Sequence, residues 1–364
     1  GQPSNPMMQR MGQQGQEPWV FVNELKRDFD VKTVPMTADK IEDAIKVLMV
    51  IHPKEISETA QYAIDQFILR GGKLIAFLDP NCYFDQNNQN PMMGRGPSSS
   101  TLEKLLKVWG LQFDIGKVVA DRTFSSRTAQ GPAPAVLSLT AEGVNKDDIV
   151  TGQIDNLLIP FPGAFSGEPV SGLKKTVLLK TTKNAQLVDG FMAQLSGEQI
   201  EKEFKSGGQE YPLAVRLTGK FKTAFPDGKP KEKADEKPDA AGKKEPPKPS
   251  PGNSLKESSA ENVVLLIGDA DLLNDAVSVE IQQFFNQRIV IPRNGNLTFT
   301  QSAVEQLAGD SNLISVRSRA TLNRPFTRVK KMETQAQETF QNQIHEMQTS
   351  LAETQRRLSE LQQN

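Results

Sequence analysis

The feature that most constrains the fold is an alternation of apolar runs and amphipathic segments between residues 46 and 80. The apolar run 46–51 is followed by Ser57, which suits a helix N-cap, and by a stripe of apolar side chains at helical spacing. Gly71-Gly72 end that stripe, and a second apolar run follows at 73–78. Two buried strands joined through one helix form a β-α-β unit, which implies a parallel sheet covered by helices and a right-handed crossover.

The same texture continues on both sides of this unit. Strands are predicted at 31–34, 117–120, 263–267 and 313–316. Helices are predicted over 19–29, 102–109, 277–286 and 299–307. We therefore predict an α/β fold built on a doubly wound, mostly parallel sheet.

Composition divides the chain into six segments. Residues 1–17 are a flexible lead-in and 18–122 the first α/β part, and Gly/Pro-rich 123–225 holds short strands of a β-rich subdomain or of excursions from the main sheet. Residues 226–260 are rich in Lys, Glu, Asp and Pro, which predicts a disordered insertion. Residues 261–324 complete the sheet, and 325–364 form a long helix.

The predicted terminal helix carries a weak heptad seam. Apolar residues recur at alternating spacings of three and four, but Thr354 interrupts them. Either a coiled-coil stalk, which could join copies of the chain into a homo-oligomer, or a packing helix fits this pattern. Because the chain starts with Gly1 rather than Met, we expect it to be a piece of a longer protein. It has no apolar run of membrane length, and this absence does not argue against a membrane-bound parent.

Charge and residue counts exclude several classes of function. The formal net charge is −1, from 43 basic and 44 acidic residues, so nucleic acid is not an expected partner. With one cysteine and two histidines, a Cys/His zinc cluster cannot form. Glycine-rich phosphate loops are absent from the sequence, so nucleotide hydrolysis is not predicted. No cofactor is predicted.

Candidate ligand-binding residues follow the predicted strands, where an open α/β sheet binds ligands. They are His52, Asp79, Asp269 and Asp271. The two aspartates of Gly268-Asp269-Ala270-Asp271 could hold a hard cation. The alternative, which we favour, is that Asp269 accepts hydrogen bonds from loop amides and Asp271 caps the next turn, so no metal site is predicted.

Cys82 and His52 allow one enzymatic alternative, a hydrolase or amidotransferase-like reaction with Cys82 as nucleophile and His52 as base. The sequence around Cys82 lacks the small flanking residues of a nucleophile elbow, and no helix is predicted to start there. No serine nucleophile stands near His52 in the sequence. We therefore predict a chain without catalytic residues.

Several stretches resemble the GldG-type family of ABC-transporter auxiliary proteins. They are His52-Pro53-Lys54, YAIDQFILRGGKLIAFLDP (Tyr62–Pro80), IGDADLL (Ile267–Leu273) and VRSRATLNRPFTRV (Val316–Val329), in the family's order. The resemblance implies a membrane-anchored protein whose domain lies outside the cytoplasm, in the bacterial periplasm, and accompanies an ABC-type ATPase and permease. Some members serve gliding motility. It also implies an amidotransferase-like sheet without the catalytic residues, and it supplies no site residues.

Together these observations predict a non-catalytic binding or scaffolding module of a membrane-anchored ABC-type transport system. The transported substrate and the residues that contact partners are not specified by the sequence.

Overall fold

The computed structural model describes residues 19–87, 98–128, 131–195, 197–230, 254–284 and 287–309. Its helices are α1 Val20–Asp28, α2 Glu58–Leu69, α3 Tyr83–Asn87, α4 Glu103–Trp109, α5 Gly190–Leu195, α6 Gly197–Glu203, α7 Asp275–Ser278 and α8 Asn296–Ala308. Its strands are β1 Val47–Ile51, β2 Lys73–Phe77, β3 Gln112–Phe113, β4 Lys117–Asp121, β5 Ser125–Thr128, β6 Gly131–Leu139, β7 Leu157–Pro160, β8 Phe165–Ser166, β9 Leu173–Lys180, β10 Ala185–Asp189, β11 Pro212–Gly219, β12 Asn262–Ile267, β13 Val279–Phe284 and β14 Gln287–Pro292.

The main sheet has five strands in the order β1-β2-β12-β11-β9. The first three are parallel to one another, whereas β11 runs antiparallel to both β12 and β9. The predicted parallel unit is therefore confirmed, and the complete sheet is mixed. Strands β9 and β11 come from the Gly/Pro-rich segment 123–225, so part of that segment belongs to the main sheet.

Helices cover both faces of the sheet, as a doubly wound fold requires. On one face, β2 residues Ile75 and Phe77 pack in a core with α1 and α8. On the other, Leu74 and Ala76 pack in a second core with α2 and α4. This alternation is the period-two geometry of a strand buried on both sides.

Local signals place the α2 boundaries where the sequence predicts them. The Ser57 hydroxyl accepts a hydrogen bond from the Ala60 amide at 3.1 Å, and Gly71 ends the helix with φ of 101°. At Gly72 an added Cβ would collide with the Phe67 ring. The side-chain Nδ2 of Asn262 donates to the carbonyls of Ile68 and Gly72, both at 2.8 Å. These two hydrogen bonds join the end of α2 to the start of β12.

Small antiparallel sheets surround the main one. They are the pairs β4–β10, β3–β8 and β13–β14 and the three-stranded sheet β5–β6–β7. The β-rich texture predicted for 123–225 is visible here, since most of these strands come from it.

Three local predictions were wrong. Residues 31–34 form no strand, because no neighbouring strand pairs with them. The helix predicted over 277–286 is the short α7 followed by the hairpin β13–β14, in which apolar and polar residues alternate as in a strand. The loop predicted over 81–99 contains α3.

Several predictions fall on residues outside those described. They are the lead-in 1–17, the strand 313–316, the long terminal helix 325–364 and most of the charged insertion, 231–253. Within the described ranges, no helix is both long and apolar enough to cross a membrane.

We expect Asn262→Ala to destabilise the protein by roughly 1–3 kcal/mol, because it removes the side-chain donor of the Gly72 carbonyl, whereas the Ile68 carbonyl keeps the Gly71 amide as a donor at 3.0 Å. Urea unfolding would measure the change in the free energy of unfolding. Gln209→Ala removes an amide whose hydrogen bond to Tyr211 is exposed, and it should cost less than about 0.5 kcal/mol. Equal effects of the two substitutions would contradict the role assigned to Asn262.

Candidate functional site

The carboxyl ends of β2 and β12 bring together side chains that are far apart in the sequence. Asp79 and Cys82 follow β2, and Asp269 and Asp271 follow β12. We call these four residues the strand-end cluster. All four are buried, with exposed fractions of 0 to 7 %. Parallel pairing of the two strands explains the convergence, since both strands end at the same edge of the sheet.

Asp79 ties its own loop to the loop after β12. One carboxylate oxygen accepts a hydrogen bond from the Asn81 amide at 2.8 Å, and the other accepts from the Ala270 amide at 2.9 Å. Burial, and then the charge of Asp271, raise the pKa of Asp79 well above its usual value.

Asp269 organises the turn in which it lies. It accepts hydrogen bonds from the amides of Asp271 and Leu272 at 2.9 and 3.0 Å. This is the loop-amide role that the sequence favoured. Burial, followed by the charges of Asp79 and Asp271, raises the pKa of Asp269 well above its usual value.

The sequence predicted that Asp271 caps the turn that follows it in the chain. In the structure Asp271 instead caps the start of helix α3. Its carboxylate accepts from the amides of Tyr83 and Phe84 at 2.7 and 3.3 Å, at the start of α3. It also accepts a hydrogen bond from the Cys82 thiol at 3.1 Å. Burial raises the pKa of Asp271, and these donors oppose that shift.

Cys82 is poorly suited to act as a nucleophile in this setting. Contrary to the sequence prediction, a helix does start beside it, but Asp271 accepts the amides that could stabilise a thiolate. Burial and the nearby carboxylates of Asp79 and Asp271 raise the pKa of the Cys82 thiol. The thiol is therefore held in its protonated, weakly reactive form.

His52 lies beside the strand-end cluster rather than within it. Its backbone has φ of 47°, a left-handed conformation that is uncommon for residues other than glycine. Its Nδ1 is 3.0 Å from the Ser100 hydroxyl, and its Nε2 is 3.6 Å from the Asp85 carboxylate. Burial lowers the pKa of His52, and the Asp85 charge partly offsets that effect. No hydrogen bond joins His52 to Cys82, although both residues are described.

Ser100 is a neighbour of His52 that sequence reasoning missed. It lies 48 residues further along the chain, and the backbone bridge between Asp79 and Ser100 places it at the end of β2, beside His52. Serine, histidine and carboxylate in a row are the side chains of many hydrolases. Here, however, the Ser100 side chain is buried, with 3 % of the residue exposed, and its oxygen accepts a hydrogen bond from the Asp79 amide. Those contacts link the loops and leave the hydroxyl little access to a substrate.

The donor atoms of Asp79, Cys82 and Asp271 lie within 4.8 Å of one another, a spacing that a cation could bridge. The hydrogen bonds to loop amides already account for the position of both carboxylates. An acidic cluster of this kind therefore does not by itself identify a metal site.

Exposed apolar side chains flank the cluster, and sequence reasoning missed these too. Tyr83 is 43 % exposed and stacks on Phe161 at 6.1 Å between ring centroids. The side-chain Nδ2 of Asn81 donates to the Gly190 carbonyl, which brings the start of α5 to the same loop. There Phe191 and Met192 are 62 % and 43 % exposed. We call Tyr83, Phe161, Phe191 and Met192 the apolar rim.

Comparison with known proteins identifies the family. A family model described as an ABC-type uncharacterized transport system matches residues 2–303. No curated protein matches the chain. A solved structure titled "mmIFT52 N-terminal domain" is similar with a TM-score of 0.40 and 10 % sequence identity, covering 80 % of this chain and 89 % of that chain. A likeness this distant carries no inference about function.

Removing one buried carboxylate should change how stability depends on pH. A raised pKa means that Asp79 contributes stability at low pH which is lost as pH rises through its folded-state pKa. Relative to wild type, Asp79→Asn should therefore gain stability as pH rises above about 4, the usual pKa of an aspartate in an unfolded chain, by up to about 1.4 kcal/mol per pH unit. Urea unfolding at several pH values measures this difference.

Asp114→Asn is the matched control for Asp79→Asn. Asp114 also accepts an amide two residues ahead, but it is exposed to water. The stability difference from wild type should depend more strongly on pH for Asp79→Asn than for Asp114→Asn, because only Asp79 is buried. If Asp79→Asn follows the control, burial of the strand-end cluster does not govern the titration of Asp79.

His52 should titrate below the usual histidine pKa of 6.5. Because the charge of Asp85 favours the protonated imidazole, Asp85→Asn should lower the pKa of His52 further. NMR titration of the imidazole protons measures both values, and a His345→Gln variant assigns the signals because the chain has only two histidines. A rise of the pKa in Asp85→Asn would contradict the proximity of the two groups.

Proposed function

The chain belongs to the ABC-type uncharacterized transport system family, and from that premise we propose that it is a non-catalytic binding or scaffolding module that holds other components of the transport system. The family is an auxiliary component of an ABC-type system. The finer assignments, a GldG-like protein anchored in a bacterial inner membrane with this domain in the periplasm, rest on the sequence resemblance.

The hydrogen bonds of the strand-end side chains are the main support for a non-catalytic role. Where an α/β enzyme would direct reactive groups at a ligand, Asp79, Asp269 and Asp271 accept loop amides. Cys82 donates to Asp271, and Ser100 binds His52 and the Asp79 amide. These contacts fix three loops against one another, which suits a surface that must keep its shape.

The apolar rim is the surface that this arrangement supports. Asp271 holds the start of α3, which carries Tyr83, and Asn81 holds the start of α5, which carries Phe191 and Met192. Exposed aromatic side chains on a rigid base favour contact with a protein, since they bury large areas with little loss of side-chain entropy. We propose that the permease of the system packs here.

Further parts of the proposal concern residues beyond those described. The terminal segment 325–364 would lead towards the membrane or join copies of the chain through its heptads. The amidotransferase-like character of the sheet and a role in gliding motility stay predictions from the resemblance.

Co-purification from detergent tests this function. The full-length parent protein is tagged and extracted from membranes, and mass spectrometry identifies what accompanies it. We expect an ABC-type ATPase and a permease, and Phe191→Asp with Met192→Asp should reduce their recovery several-fold because charges cannot be buried cheaply at an apolar contact. Val170→Asp, at a residue also exposed by 39 %, is the control.

Two outcomes separate the parts of this proposal. If neither transporter component accompanies the wild-type protein, the scaffolding role is wrong. If both accompany it and the rim variants behave like Val170→Asp, the role stands and the partner binds elsewhere.

A further inference from the structure

Polar side chains from two separate loops hold the short helix α3 in place. The Asp271 carboxylate, in the loop after β12, accepts the amides at the start of the helix. Lys54, in the loop after β1, donates to the Asp85 carboxylate at 2.9 Å, and His52 in the same loop places its Nε2 3.6 Å from the same oxygen. Helix α3 carries Tyr83 of the apolar rim, so these contacts also determine where Tyr83 stands.

The neighbours of the His52 ring show which of its nitrogens carries the hydrogen. A carboxylate only accepts hydrogen bonds, so the Nε2 that faces Asp85 carries a hydrogen. In the neutral ring Nδ1 is then an acceptor, and the Ser100 hydroxyl at 3.0 Å supplies its donor. The same hydroxyl oxygen accepts the Asp79 amide at 3.1 Å. A chain of hydrogen-bonding groups therefore runs from the loop after β2 through the imidazole to α3.

Proton uptake by His52 breaks this order. The added proton goes to Nδ1, because Nε2 already carries one. Nδ1 then donates instead of accepting, so the Ser100 hydroxyl loses the acceptor of its own proton. The positive ring also lies close to the Lys54 ammonium, because Nε2 and Nζ approach the same oxygen of Asp85. The neutral imidazole therefore fits these neighbours better than the imidazolium does.

Backbone conformation in the loop after β1 points the same way. His52 has φ of 47° and Glu55 has φ of 50°, both in the left-handed region that residues other than glycine seldom adopt. Such conformations persist only where the surrounding contacts hold them. The loop is therefore held in position by contacts such as those of the imidazole, and it can relax when they weaken.

Charged groups on three elements face His52. Asp85 comes from α3, Lys54 comes from the same loop as His52, and Asp79 is linked to the ring from the loop after β2 through its backbone amide. Glu55, also in the loop after β1, is exposed to water. Burial has the largest effect on the pKa of His52 and lowers it, the charge of Asp85 raises it, and the charge of Lys54 lowers it.

His52 and the buried carboxyl groups respond to acid with opposite signs. Because the pKa of the docked imidazole lies below 6.5, docking loses stability as the pH falls through 6.5, relative to a state in which water reaches the ring. The raised pKa of Asp79 has the opposite effect, since protonation favours its buried state. The effect of His52 must therefore be measured against a variant that lacks the imidazole.

We propose that His52 is a pH-sensitive latch on α3, and that its protonation releases the helix, and Tyr83 with it, from the docked position. Release of α3 follows from the contacts of His52 and does not depend on the transport function. Its consequence, loss of permease binding at the apolar rim in acid, rests on the proposed function. The latch would thus regulate the site to which that function assigns the partner.

Cys82 reports the position of α3 in the full chain. It is the single cysteine of the sequence, it is buried, and its sulfur contacts both the Asp271 carboxylate and the backbone amide of Asp85. A thiol reagent therefore reaches it when α3 moves away. The labelling rate is divided by the rate of a cysteine peptide at the same pH, which removes the effect of thiol ionisation. This normalised rate measures how often α3 is open.

The normalised rate of the wild type, relative to that of His52→Gln, should rise by up to about tenfold between pH 7.5 and 5.5. An exposed histidine with a pKa of about 6.5 is about one-tenth protonated at the higher pH and about nine-tenths at the lower, which sets this limit. His345→Gln is the matched control and should follow the wild type. Lys54→Gln should show a smaller rise, because it removes a charge that lowers the pKa of His52.

Hydrogen exchange of the Ile75 amide accompanies the labelling. Ile75 is fully buried in β2, so its exchange should stay slow at both pH values when only α3 opens. A relative rate that is the same at both pH values would overturn the proposal. A relative rate that falls in acid would also overturn it, because the charged pair with Asp85 would then fasten the helix. If His52→Gln is unfolded, Lys54→Gln decides, and a rise as large as that of the wild type contradicts the latch.

Recovery of the permease with the tagged parent protein at the two pH values separates the latch from the function. Loss of recovery in acid for the wild type, but not for His52→Gln, supports both. If Cys82 labelling responds to pH while recovery does not, the latch stands and the permease binds elsewhere. If no permease is recovered at either pH, the proposed function is wrong, and the labelling still decides whether His52 controls α3.

Discussion

The structure depends on the burial of β2 between two helical layers. Leu74, Ile75, Ala76 and Phe77 are fully buried, two towards each layer. Burial of Leu74, Ile75 or Phe77 stabilises the fold by about 1.5–3 kcal/mol each through the hydrophobic effect. The two parallel neighbours of β2 satisfy its backbone groups, so the strand needs no contact with water. The cores, the crossovers and the position of the polar residues all follow from this strand.

Burial of β2 also explains the unusual chemistry at its end. A strand covered on both faces delivers Asp79 into a region from which water is excluded, and β12 delivers two more carboxyl groups beside it. Carboxyl groups in such a place are stable only when amide donors surround them or when they bind protons. The loops of this protein supply the amides, and the raised pKa of Asp79 and Asp269 shows that the compensation is incomplete.

Much of this architecture could be predicted from the sequence, because its signals are local. The apolar runs, the Ser57 cap and the Gly71-Gly72 pair each depend on residues close together in the chain. The elements that they predict, β1, α2 and β2, are present in the structure. Predictions were wrong where the secondary structure of an apolar segment depended on whether another strand pairs with it. Residues 31–34 have no neighbouring strand, whereas 279–284 pair with 287–292 and so become a hairpin rather than a helix.

By itself, then, the sequence determined the parallel unit, the family and the strand ends at which polar residues would gather. Only the tertiary structure decided what those residues do. It brought Ser100 to His52 and Asp271 to the start of α3, and each of these contacts joins residues at least 48 positions apart. It also grouped the side chains of the apolar rim. The physical reason is that hydrogen-bond partners and shared burial depend on which strands are neighbours. That order is set by packing of the whole chain and leaves no local pattern.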